Sequence, residues 1–288
     1  MPPDLLLKLR KDMAETMSLT IEYLRDRWDS SVAGAPGLHP SARAGTSSTS
    51  EGTRLTLTWD SLMEKDDVSS DPLILAGLRG LAIWIREDEN ENMRNEAAGL
   101  MDMLVELYKL EDLQYRYPIL LALEGIMTTD DGVENFLGQD GWNILSQDLY
   151  SALKSVSNTD LSHTSIATSE AARGTQIVRV LLAVLDHPST SFPQEDWMST
   201  IASTTSIKVP TTTPSSMVLE FMIAALQLST ALLSKSSGGM TKRFITRQPA
   251  LRGLAKELKK LAKRLNDREE GKEFLGLLED VLMDLGNL

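Results

Sequence analysis

The sequence contains no cysteine, and only 5% of its 288 residues are aromatic. Without cysteine there is no disulfide framework, no thiol nucleophile and no site in which sulfur holds zinc or an iron–sulfur cluster. The three histidines, His39, His163 and His187, lie far apart in sequence, so no two of them have metal-ligand spacing. We therefore expect no bound metal.

Catalytic signatures are missing as well. The sequence has no Gly-x-Ser-x-Gly nucleophile turn, no phosphate-binding Gly-x-x-x-x-Gly-Lys loop and no His-Glu-x-x-His zinc motif. It also lacks a Gly-x-Gly-x-x-Gly dinucleotide motif after a strand. We predict no catalytic residue, no cofactor and no enzymatic activity, so the function is expected to be binding.

Long apolar runs and positive charge are scarce too. No run of 18 uncharged apolar residues occurs, which predicts that nothing spans a membrane. The first residues mix acids and bases among leucines, unlike a signal peptide, so a cytoplasmic protein is expected. The net charge of −12 opposes nucleic-acid binding, because an acidic surface repels phosphates.

What the sequence does contain is helical periodicity. Apolar residues recur at steps of three and four along most of the chain, which predicts an all-α protein. Residues 36–58 are rich in Ser, Thr, Gly and Pro, and this composition predicts a disordered loop. Helices are predicted over Leu5–Trp28, Pro72–Arg86, Met93–Leu110, Pro118–Met127, after a cap at Thr129, and near 168–186, 194–203, 215–234, 248–267 and 271–285.

Two helical segments resemble one another at an offset of 45 residues. Residues 74–81 (ILAGLRGL) and 119–126 (ILLALEGI) place large aliphatic residues, a small residue, one charge and a glycine in the same positions. Residues 177–185 and 219–228 are looser echoes. A period of about 40–47 residues is typical of armadillo and HEAT repeats. We therefore predict an armadillo/HEAT-like α-solenoid, with a non-repetitive helical bundle as the alternative.

Charge is segregated along the chain. Residues 60–140 hold about three times as many acids as bases, whereas residues 240–272 hold 11 bases and 4 acids. Such a separation steers charged partners, unless both regions are ordinary solvated helix faces.

The basic region contains an amphipathic helix. Leucines at steps of three and four form one stripe from Leu251 to Leu265, and a second apolar stripe runs from Phe274 to Leu285. Two adjacent stripes predict a helical hairpin that caps the solenoid. The basic helix is also suited to a partner groove or to an anionic membrane surface. Its other face predicts a protein- or lipid-binding site: Lys256, Lys259, Lys260, Lys263 and Arg264.

These patterns predict three parts of the chain. The first is a helical-repeat region over residues 1–235, the second a flexible linker over 236–247, and the third the basic hairpin over 248–288. Trp84 lies among apolar residues of the most apolar helix, so we expect it in the core. Its replacement by alanine would then cost about 3–5 kcal/mol.

Three stretches resemble the neurochondrin family of helical-repeat proteins. They are residues 13–24 (MAETMSLTIEYL), residues 75–88 (LAGLRGLAIWIRED) leading into MRNEA, and residues 126–144 with their Gly-Gln-Asp-Gly turn. The likeness covers roughly residues 10–205 and resembles the C-terminal part of that family's repeat region, so the chain is similar to a short member or a fragment.

The resemblance implies a non-catalytic scaffold or adaptor. It implies a cytoplasmic adaptor that binds other proteins in signalling or trafficking, and the family has no catalytic residue to carry over. The basic helix lies outside the matched stretches. An alternative is therefore a peripheral membrane-associated regulator that binds anionic lipid through residues 251–265.

Overall fold

A computed structural model describes residues 3–32, 72–87, 91–110, 113–158, 164–188, 194–210, 214–236, 242–265 and 269–287. These residues contain helices and no strand, which confirms the all-α prediction. The predicted loop over residues 36–58 lies outside the described residues. The helices are α1 (Pro3–Val32), α2 (Pro72–Glu87), α3 (Glu91–Ala98), α4 (Met101–Lys109), α5 (Leu113–Ile126), α6 (Asp130–Gly138), α7 (Gly141–Asn158), α8 (Thr164–Asp186), α9 (Gln194–Thr205), α10 (Ser216–Lys235), α11 (Lys242–Arg264) and α12 (Glu269–Asn287).

The chain divides into two compact units, Met1–Ile126 and Met127–Leu288. The predicted divisions at residues 235 and 248 do not coincide with this boundary. Helices α11 and α12 contact α10 and belong to the second unit.

The first unit is organised around the contact between α2 and α5. These are the two helices that carry the segments similar at an offset of 45 residues. They approach closely at Gly125, where an added Cβ would overlap with the Cγ2 atom of Ile85. Glycine is required here because the neighbouring helix occupies the space that any larger residue needs. Helices α1, α3 and α4 complete this unit.

Two helix boundaries in the first unit differ from the prediction. The single helix expected from Met93 to Leu110 is two helices, separated by a turn in which the Gly99 amide donates to the carbonyl of Glu96. Glycine lowers helix stability and so favours a break at this point. Pro118 lies inside α5 and does not begin it. It lies beyond the first turn, so its missing amide removes one hydrogen bond within the helix, a cost that the packing of α5 against α2 offsets.

Trp84 is only half-buried, so the prediction of a core position was wrong. The buried face of α2 is formed by Leu78, Leu81 and Ile85, each fully buried. Trp84 lies at the edge of this face, where its ring covers Gly80 and would lie 3.5 Å from a Cβ added to that glycine. The helical step of four residues places the ring over that glycine.

The second unit is organised around the contact between α8 and α10. These helices carry the two looser echoes, residues 177–185 and 219–228. An added Cβ at Gly174 would overlap with the ring of Phe221, which is fully buried. Helix α6 begins as predicted, because Thr129 Oγ1 accepts a hydrogen bond of 3.1 Å from the amide of Gly132.

Helix α10 is long and apolar enough to cross a membrane by length and composition alone. Its most apolar window, however, is 67% buried inside the structure, as is usual for a helix at the centre of a core. Among the described residues no other helix has this length and composition.

Candidate functional site

The candidate site is the outer face of α11, and the opposite face of the same helix anchors it. Leu251 and Leu258 are fully buried, and Leu254 and Leu261 are nearly so. The helix begins at Lys242, earlier than the predicted start near residue 248, and contacts α9, α10 and α12. Its leucines therefore belong to the core of the second unit.

Two polar side chains also attach α11 to the end of α12. Gln248 Nε2 donates to the backbone oxygen of Leu285 at 2.8 Å, and Arg252 Nε donates to the same oxygen at 3.0 Å. A cationic side chain at a helix C-terminus stabilises the unpaired carbonyls and the helix dipole. The sequence prediction did not single out either residue; both share with Lys259 the side of the basic helix that faces α12.

The structure places the five predicted basic residues on α11 but not all on its outer face. Lys256, Lys260, Lys263 and Arg264 are exposed. Lys259 is turned toward α12, and its Nζ donates to Glu279 Oε1 at 2.8 Å; only 26% of its side chain is exposed. Lys259 thus joins the two helices of the hairpin.

The outer face is not fully neutralised by its own helix. Lys260 pairs with Glu257 at 2.6 Å one turn away, while 67% of the lysine side chain stays exposed. Glu257 is the one acid of α11, against nine basic residues. Of the three that precede the predicted helix start, Lys242 lies about five turns before Lys260 and so on the same face, whereas Arg243 and Arg247 do not share that face. Arg247 is directed toward α9, where its Nη1 donates to Thr205 Oγ1 at 3.2 Å.

The basic helix also changes the ionisation of its neighbour. The hydrogen bond from Lys259 lowers the pKa of Glu279, and the positive charges of Lys259 and Lys263 lower it further. Because opposite charge favours the ionised carboxylate, Glu279 stays charged to lower pH than an isolated glutamate.

Another ionic cluster lies inside the second unit, between α7 and α8. Arg173 pairs with Asp148 and Glu170, and all three side chains are largely buried. Burial opposes the charged guanidinium, but the two carboxylates outweigh it and raise the pKa of Arg173. Removal of one member of such a buried cluster would leave an uncompensated charge, so the three side chains depend on one another.

The second unit also has a cavity of about 140 Å³ beside α7 and the segment after α9. Tyr150, Lys154, Ser203 and Lys208 contribute to its lining, which includes no carboxylate and no histidine. In the part of the chain that the structure describes, no three histidines or acids cluster closely enough to hold a metal ion.

Comparisons with known proteins are consistent with this description. A family model described as Neurochondrin matches residues 2–249, which is most of the chain. An uncharacterised protein of Schizosaccharomyces pombe, C16C4.02c, is 22% identical over 149 residues. The matched part is 51% of this chain and 21% of that relative, so the chain spans about a fifth of the relative's length. No solved structure matches.

Proposed function

The chain belongs to the neurochondrin family, and from this membership we propose that it is a non-catalytic scaffold that binds partner proteins through helical surfaces. The proposal includes a cytoplasmic role in signalling or trafficking. The proposal rests on the outer face of α11, whose exposed basic residues belong to a helix that buried leucines anchor in the second unit. A rigid support of this kind lowers the entropic cost of binding.

We also propose that the helix pairs are armadillo-like repeats. Support comes from the two pairs of similar segments, since the members of each pair contact one another directly. In repeat proteins each unit buries its apolar face against its neighbour, so similar segments are expected to be in contact.

An anionic membrane is the second candidate partner. Peripheral amphipathic helices bind by inserting apolar residues among the lipids while basic residues contact the headgroups. The leucines of α11 from Leu251 to Leu261 are buried against neighbouring helices, and Ile245 is the one large apolar residue of the helix that is exposed, so the charge contribution would dominate. This arrangement favours a protein partner over a membrane.

Capture of partners by charge-reversed variants tests the proposed function. The test variant is Lys256→Glu/Lys260→Glu/Lys263→Glu. A matched control changes three exposed cations of the first unit, Lys8→Glu/Lys11→Glu/Arg79→Glu, and therefore alters the net charge equally. Tagged wild-type chain and both variants are incubated with native-cell extract, and bound proteins are identified by mass spectrometry.

The expected result is a set of proteins that wild type and control retain and the α11 variant loses. Circular dichroism must show equal melting of all three chains, because the substitutions are at exposed positions. Retention of the same set by the α11 variant would place binding on another surface. If wild type enriches nothing over an unrelated helical protein, the scaffold proposal is wrong.

A further inference from the structure

The hairpin formed by α11 and α12 carries charge in two adjacent stripes of opposite sign. Helix α11 has nine basic residues and one acid, and α12 has six acids and one base. The basic stripe consists of the exposed residues Lys256, Lys260, Lys263 and Arg264. We propose that it binds an extended acidic peptide segment of a partner protein, an inference that rests on the proposed protein-binding function.

The spacing of the outer cations suits a short peptide. Lys256, Lys260 and Lys263 are separated by four and three residues, so they share one face of the helix. From Lys256 to Arg264 the helix rises about 12 Å. A peptide in extended conformation covers that distance with about four residues. Alternate side chains of an extended peptide point to opposite faces, so a run of about four glutamates or aspartates would span the stripe and direct about two carboxylates toward it.

The acids of helix α12 limit the width of a partner that can approach the basic stripe. The 2.8 Å contact between Lys259 and Glu279 fixes the acidic helix directly beside the basic one. Five further acids of α12 are exposed: Glu269, Glu270, Glu273, Asp280 and Asp284. A broad anionic surface, such as a membrane or a nucleic-acid duplex, would approach these acids together with the lysines and be repelled. A single peptide strand can follow α11 alone.

The apolar side of the hairpin supports the same conclusion. Leu251 and Leu258 of α11 and Leu278 and Leu285 of α12 are fully buried. These four leucines are therefore not available for insertion into lipid, and Lys256, Lys260 and Lys263 offer charge and hydrogen-bond donors only. The exposed large apolar residues of the hairpin are Ile245 and Met283, which are not part of that row of lysines. A carboxylate-rich peptide provides matching acceptors.

Fluorescence anisotropy with a labelled octaglutamate peptide tests the inference, with an octaglutamine peptide as control. We expect wild type to bind octaglutamate and not octaglutamine, and binding to weaken as salt rises. The Lys256→Glu/Lys260→Glu/Lys263→Glu variant should bind more than about tenfold more weakly. The first-unit control, Lys8→Glu/Lys11→Glu/Arg79→Glu, should change the affinity by less than about twofold.

A second measurement tests the role of α12. Vesicles of phosphatidylserine and phosphatidylcholine are sedimented with wild type and with Glu273→Gln/Asp280→Asn/Asp284→Asn. We expect wild type not to bind the vesicles and the neutralised variant to bind them. Tighter binding of wild type to vesicles than to octaglutamate would overturn the inference in favour of a membrane.

Failure of this inference can be told apart from failure of the proposed function. If wild type captures partner proteins but does not bind octaglutamate, or if the first-unit control loses peptide binding equally, the acidic-partner inference is overturned and the scaffold role stands. If wild type captures no protein, the scaffold role falls whatever the peptide does.

Discussion

At the centre of each unit, two helices pack closely at a glycine. The units differ in the helices attached to this central pair. In the first unit α2 contacts α5 through Gly125, and in the second α8 contacts α10 through Gly174. In both cases a fully buried side chain, Ile85 or Phe221, occupies the space above the glycine. Close approach of two helices therefore depends on one small residue in each unit.

The second unit alone continues into a charged hairpin after its central pair. The family match includes both central pairs but ends at residue 249, before the stripe that begins at Lys256. Close packing is thus a feature of the matched family region, whereas the basic stripe lies beyond it. The part beyond the match is not only a recognition surface, because leucines of both α11 and α12 there are buried in the second unit.

The substitution with the largest expected effect on the free energy of unfolding tests whether the hairpin is part of the core of the second unit. Leu258→Ala should lower the free energy of unfolding by about 2–5 kcal/mol, because Leu258 is fully buried and its truncation leaves a cavity. Denaturant unfolding monitored by circular dichroism measures it. Met283→Ala is the control, since Met283 of α12 is 62% exposed and should change stability by less than about 0.5 kcal/mol. Equal, small effects would mean that α11 is only loosely attached.

The next prediction tests the close helix contact at a glycine that the two units share. Gly125→Ala and Gly174→Ala should each destabilise the chain, because overpacking costs about 1–3 kcal/mol and the better helix propensity of alanine recovers only about 1 kcal/mol. Stability in denaturant is again the measurement. If either substitution stabilises the chain, that helix pair does not approach as closely as described.

A double variant isolates the contact in the second unit. Phe221→Leu removes the ring that overlaps with an added Cβ, so Gly174→Ala should cost less in the Phe221→Leu background than in wild type. Residues in direct contact show such non-additivity, and distant ones do not. Strictly additive losses would argue against the contact.

Much of this fold could be predicted from the sequence, because helix periodicity and caps act locally. From Pro72 onward the apolar steps predicted most helices to within a few residues; the exceptions are the break at Gly99, the helix that contains Pro118, the separate helix α7 and the early start of α11. The resemblance to the neurochondrin family is likewise confirmed. Local propensity does not specify which helices meet, so it does not locate the division at residue 126.

The site was predicted less completely, for a physical reason. Sequence periodicity placed Lys259 with the other cations, but its direction is decided by Glu279, which lies 20 residues away in sequence. Arg252 likewise contacts a backbone oxygen of another helix. Trp84 shows the same limitation, because its burial depends on which face of α2 meets α5. Tertiary partners of this kind leave no local signal.

A smaller effect of opposite sign is expected at glycines that nothing crowds. Gly253 of α11 and Gly276 of α12 have no atom within 4 Å of an added Cβ, in contrast to Gly125 and Gly174. Gly253→Ala and Gly276→Ala should therefore each stabilise the chain by about 0.5–1 kcal/mol through helix propensity. Thermal and denaturant unfolding measure the gain. A loss at either position would reveal a neighbour that crowds the outer face of the hairpin.

The smallest effect concerns the ion pair that joins the two charge stripes. Lys259 lowers the pKa of Glu279, so Lys259→Met should raise that pKa toward the ordinary glutamate value. A carboxylate whose pKa is lowered by folding contributes stability above its unfolded value and loses this contribution as pH falls through the folded value. The stability difference between wild type and variant should thus be present at neutral pH and vanish in acid. Carboxyl-carbon NMR titration of Glu279 measures the shift directly.

Lys109→Met is the control, because Lys109 pairs with Glu106 within α4 of the first unit and should leave the Glu279 titration unchanged. An unaltered Glu279 titration in Lys259→Met would mean that the stripes are not held side by side by this contact, and the argument for a narrow acidic partner would lose its geometric basis.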